Sequence, residues 1–117
     1  MRPKRQLQLG LGAGRFKQSI TVQQSSIATN AAGQDTETWS TYAARRAAVE
    51  ALKAKELVAQ YQRRALFPWF FRMRSDSLTR DIEPTWRISW DGRTLEIDSV
   101  QQRGDEVHVI ATEDLIA

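Results

Sequence analysis

A chain of 117 residues with 41% hydrophobic content and a mean hydropathy of −0.51 is long enough for one domain with its own core, and too polar to be built for a bilayer. It has no cysteine, which excludes a disulfide framework, thiolate metal sites and cysteine nucleophiles. The net charge of +3 conceals a polarity along the chain: residues 1–34 hold five bases and no acid, 43–74 eight bases against two acids, and 75–117 four arginines against ten acids. Three arrangements fit that polarity: like copies joined basic face to acidic face, a polyanion beside the basic part, or segments that neutralise one another within one fold.

Residues 1–14, MRPKRQLQLGLGAG, carry charge and scattered leucines but no continuous apolar stretch. Neither a secretory signal nor a membrane anchor is expected there, and the segment reads as a flexible arm ahead of a single domain over 15–117. Gly10, Gly12 and Gly14 resemble a phosphate-cradling loop only superficially, because no Gly-Lys-Ser/Thr ending follows and the next element is a strand. That first strand spans Phe16–Gln24, with Ile20 and Val22 inward and Thr21 and Gln23 outward. The polar tract Gln24–Thr38 holds Asn30, Gly33 and Asp35 and little to bury, so it reads as a long exposed hairpin loop. Thr38–Tyr42 resumes β character with Trp39 and Tyr42.

The segment Ala43–Leu66 is rich in alanine, leucine, lysine, glutamate and glutamine, and propensity alone makes it helical. Val49, Leu52, Leu57 and Tyr61 form a crude apolar stripe, which places a helix within 50–65, while the first half is compatible with continuation of the strand from Trp39. Pro68 then opens an aromatic strand in which Trp69, Phe71 and Met73 alternate with Phe70, Arg72 and Arg74. In WRISWDGRTLEIDSV the alternation runs on both sides of Asp91-Gly92, which supplies the positive φ angles of a tight hairpin turn. A last strand, Glu106–Ala111, alternates Val107 and Val109 with His108 and Ile110. The expected fold is mainly β: a small antiparallel β-barrel or sandwich of five to six strands, with one short helix and a long hairpin loop. Its expected core is Trp39, Trp69, Phe71, Trp86, Ile88, Trp90, Leu95, Ile97, Val107 and Val109.

Parts for an enzyme are lacking. His108 is the only histidine and lies between two valines, so a Ser-His-Asp or zinc constellation would rest on one strand residue. Acidic neighbours such as Asp76 with Asp81, or Glu113 with Asp114, read as solvated loop and tail. No enzyme activity, metal or cofactor is expected. Aromatic residues interleaved with arginines in RRALFPWFFRMR leave one alternative, a free-standing barrel that binds single-stranded nucleic acid by base stacking.

In order, spacing and length, the chain resembles the bacteriophage head–tail joining family, also called head-closure, stopper or head–tail adaptor proteins. The resemblance is carried by RFKQSITVQ, the glycine-containing polar hairpin NAAGQDTETW, the segment TYAARRAAVEALKAKEL, and the closing WRISWDGRTLEIDSV with VHVIATED. Arg46, Ala51 and Ala54 stand where the family commonly has tryptophan, proline and glycine, which makes the middle of this chain more helical in composition. The resemblance implies a non-enzymatic virion component, assembled in the host cytoplasm, that forms a ring in the neck, closes the portal or adaptor channel and docks the tail. The implied partners are further copies in the ring, a portal or adaptor protein above, a tail terminator or tail tube protein below, and packaged double-stranded DNA in the channel, with no membrane. Arg45, Arg46, Lys53, Lys55, Arg63 and Arg64 are then candidates for lining the channel or meeting an acidic neighbour, and Asn30, Gly33 and Asp35 for a contact loop between subunits or with a partner.

Overall fold

The computed structural model describes residues 16–52 and 55–114; the expected arm over 1–14, and Lys53, lie outside the described residues. Among these residues six strands and one helix follow in the order β1 Gln18–Thr29, β2 Asp35–Ala51, α1 Lys55–Gln62, β3 Leu66–Arg74, β4 Arg87–Trp90, β5 Arg93–Arg103 and β6 Glu106–Asp114. Every neighbouring pair is antiparallel. The strands close in the order β1-β2-β3-β6-β5-β4, with β4 returning to β1 through the pairs Thr21–Ser89, Val22–Ile88 and Gln23–Arg87. The fold is the mainly β barrel that the alternation predicts.

Strand alternation turns Ile20, Val22, Phe71, Met73, Ile88, Leu95, Ile97, Val107, Val109 and Ala111 into one buried cluster. Ala47, fully buried, lies opposite Met73, and Val49 opposite Phe71. Ala43–Ala51 is a strand despite its helical composition because β1 pairs with its first half and β3 with its second, and the helix starts only at Lys55. Of the residues in the expected helical stripe, Leu57 and Tyr61 lie on α1, whereas Val49 belongs to β2 and Leu52 follows it.

The two ends of the barrel are closed differently. At the end where α1 lies, the Arg93 guanidinium sits 5.2 Å from the ring centres of both Trp69 and Trp90, and Glu113 accepts the Trp69 indole N–H at 3.0 Å. Trp69 and Trp90 there, and Trp86 against Tyr42, are half-buried around the core cluster rather than inside it. At the other end the segment after β3 folds over the barrel and inserts Ile82 into the core, anchored by buried Thr79, whose hydroxyl donates to the Arg74 carbonyl at 2.8 Å. Two bulges aim residues at the covering elements. Tyr42 is the extra residue of β2 and packs on Trp86, donating to the Leu78 carbonyl; Asp98 is the extra residue of β5 and accepts the Tyr61 hydroxyl of α1.

Two expectations need correction. The tract Gln24–Thr38 is not a loop: Gln24–Thr29 pairs in register with Asp35–Ser40, leaving only Asn30–Gln34 as the turn. Alternating Ser, Thr and Gln satisfy a two-stranded ribbon that water can cover, as in the Ser26–Thr38 hydroxyl pair at 2.9 Å. Pro68 does not open its strand but stands third in β3, paired with Thr112, and its carbonyl accepts the Leu52 N–H.

Candidate functional site

Three outer surfaces of the barrel carry the residues that the sequence singles out. The first lies where β1, β2 and β3 meet. Arg45 is parallel in alternation to buried Ala43 and Ala47, and its Nε donates to Asp76 at 2.9 Å. Burial would raise the Asp76 pKa, but the Arg45 hydrogen bond and the backbone N–H groups of Thr79 and Leu78 outweigh it and bring the carboxyl down to about 2. Arg45 is thus a structural cation already matched to an anion. Arg46 points the other way, is exposed, and lines a groove of about 440 Å³ with Phe16, Arg74 and the Arg45–Asp76 pair. The Arg74 guanidinium lies 5.6 Å over the Phe16 ring, and neither Arg46 nor Arg74 has an ion pair among the described residues.

The second surface is α1 and its exit. Lys55, Arg63 and Arg64 are exposed, and the Arg64 guanidinium lies 5.2 Å from the Tyr61 ring centre. Arg63 and Arg64 precede Leu66 at the start of β3, while Arg46 lies beside its far end, roughly 25 Å away at ordinary strand rise. The structure therefore does not gather the basic segment into one patch. It divides it between the two ends of the barrel.

The third is the ribbon. Asn30 and Asp35 shape its tip from within: the Asn30 side-chain oxygen accepts the N–H groups of Ala32 and Gln34 at 2.9 Å, and Asp35 accepts the Thr29 hydroxyl at 2.8 Å. Gly33, at φ +80°, supplies the left-handed position of the turn. What the ribbon leaves outward is Ile27, 69% exposed, which lies opposite Glu37. One isoleucine in a polar tract carries no periodic signal, so the significance of Ile27 comes only from the pairing. Trp39, expected in the core, stands outside the core cluster at the ribbon root, with the Arg87 guanidinium 4.2 Å over its ring.

The remaining chemistry-bearing residues are used in structure. His108 Nε2 lies 2.9 Å from Glu106, which also accepts Arg72 at 3.1 Å. Burial pushes the Glu106 carboxyl up, but the hydrogen bonds from Arg72 and His108 prevail and its pKa is lowered. Among the described residues no group of three or more His, Asp or Glu side chains is placed to hold a metal ion. In the aromatic strand Phe71 is fully buried, and Trp69 packs edge-on against Trp90 at 5.0 Å.

Comparison with known proteins agrees with this architecture. Protein SF1141 from Shigella flexneri 2a, a solution structure, superposes with a TM-score of 0.66 at 21% identity, covering 88% of this chain and 96% of that one. A chain from the virion of a native gene transfer agent particle superposes with a TM-score of 0.64, also at 21% identity, over 88% of this chain and 98% of that chain. At such identity these matches establish a shared fold. No curated protein matches the sequence. The profile of the phage head completion proteins, however, matches residues 11–114, nearly the whole barrel and ribbon, and on that match the chain belongs to the phage head completion protein family.

Proposed function

We propose that this structural virion protein forms a ring in the neck of a tailed phage or phage-like particle, closes the channel beneath the portal or adaptor, and presents a platform to the tail. The observation that carries this reading is the contrast between barrel and ribbon. Closure pairs the strands of the barrel all the way round, giving a rigid body, while the ribbon beyond Gln23 projects roughly 20 Å and buries little against its own chain. An element of that length and polarity gains little stability in an isolated monomer, so its use lies in contact with something else. Family membership supplies the setting, and the gene transfer agent virion chain of the same fold supports it.

On this reading the exposed cations Lys55, Arg63 and Arg64 face the path of packaged DNA, where contact is with phosphate and independent of sequence. The inward turn of Trp69 and Phe71 supports a joint rather than a base-stacking platform. Cryo-electron microscopy of particles carrying the chain tests the proposal. A ring of this barrel between portal and tail is expected; its presence only on the inner capsid wall overturns the reading.

A further inference from the structure

Charge along the ribbon strands is sparse: over Gln18–Ala44 the only charged residues are Asp35 and Glu37. Asp35 is engaged by Thr29, whereas Glu37 has no ion pair among the described residues and lies opposite Ile27, the most exposed large apolar side chain described. The groove at Arg46 and Arg74 has the complementary inventory: two cations with no ion pair among the described residues, the Asp76 carboxylate beside them being held by Arg45. Arg45 and Arg46 also line a neighbouring shallow depression, whose other residues are Ser19, Ile20, Thr21 and Ala44. The ribbon of the same chain cannot reach it. Glu37 and Arg46 are on one strand, nine residues and roughly 30 Å apart along its direction.

Building on the ring reading, we propose that the ribbon of one copy lies in the Arg46–Arg74 groove of the next, with Glu37 between the two arginines and Ile27 over the depression at Thr21 and Ala44. Contact is then heterologous, head to tail, and closes only by going round an axis. Packaged DNA is the competing occupant. Phosphate would satisfy Arg46 and Arg74 but leaves Ile27 and the depression at Thr21 and Ala44 without a role, so a second copy accounts for more of the surface.

Because the chain has no native cysteine, Ile27→Cys with Ala44→Cys provides a clean cross-linking pair. Ala44 pairs with Thr21, six residues from Ile27, roughly 20 Å along the strand and beyond a short bismaleimide within one chain. Particles assembled with this variant should yield a ladder of covalent multimers. Added to that pair, Glu37→Arg or Arg46→Glu alone should abolish the ladder, and the two together should restore it. Monomers alone from particles whose necks hold the normal amount of chain overturn the ribbon contact and leave the ring intact, as does failure of the paired reversal to restore the ladder. A wild-type chain found away from the neck removes the ring reading itself. Should Arg46→Glu with Arg74→Glu release packaged DNA while the ladder persists, the groove belongs to DNA and the ribbon assignment is wrong.

Discussion

Two ionisable residues tie the covering elements to the barrel, and each makes stability depend on pH at its own end of the scale. Asp76 has a folded pKa of about 2 against an ordinary 3.8, so folding favours its charged form. Its contribution is complete above about pH 4 and is lost as pH falls through 2. Asp76→Asn should flatten the acid limb of urea midpoints measured against pH; an unchanged acid limb would mean that the Arg45 contact adds nothing to folding. Tyr61 runs the other way. Burial first, then its hydrogen bond to Asp98 and that carboxylate's charge, push it to about 12, so folding favours the neutral phenol and its contribution disappears as pH rises from 10 through 12. Tyr61→Phe should cost about 1 kcal/mol at neutral pH and blunt the alkaline loss.

At the scale of elements, α1 is a short clamp rather than an independent helix. It has eight residues, and Ala65 leaves it with φ +59°, a left-handed position that costs an alanine about 1 kcal/mol relative to glycine. Ala65→Gly should raise the melting temperature by a few degrees, read by circular dichroism. The ribbon is separable in the opposite sense. Replacing residues 27–37 with an Asn-Gly turn should leave the melting temperature nearly unchanged, since Ile27 and its neighbours are exposed and Trp39 stays with Arg87. The same trimmed chain should fail to enter particle necks, measured by its copy number in purified particles. A large drop in melting temperature would show that the ribbon supports the barrel.

For the whole molecule, the division of positive charge between two ends separates two tasks. The groove lies at the end of β3 that carries Arg74, and the α1 exit at the end that begins with Leu66. Arg63→Glu with Arg64→Glu should therefore lower DNA retention in filled particles, assayed by nuclease sensitivity, while the isolated chain melts normally. Loss of folding in that variant would assign these side chains to the barrel instead. Arg45→Glu should behave differently, destabilising the isolated chain, because it places a second acid against Asp76 at the barrel mouth.

The closing hairpin, the last strand and the inward rows of Ile88, Leu95, Ile97, Val107 and Val109 were legible from alternation, because a half-buried strand must repeat every two residues whatever surrounds it. The order of motifs likewise pointed to the family. Other features depended on neighbours distant in sequence. Ala43–Ala51 became a strand because β1 and β3 both offered it backbone partners, against local helix propensity. The polar tract became a ribbon because each of its strands had the other to pair with. Whether Arg45 or Arg46 was available to a partner depended on which face of β2 met Asp76. Composition sets how many charges a chain has; only closure of the barrel sets which of them are already spoken for.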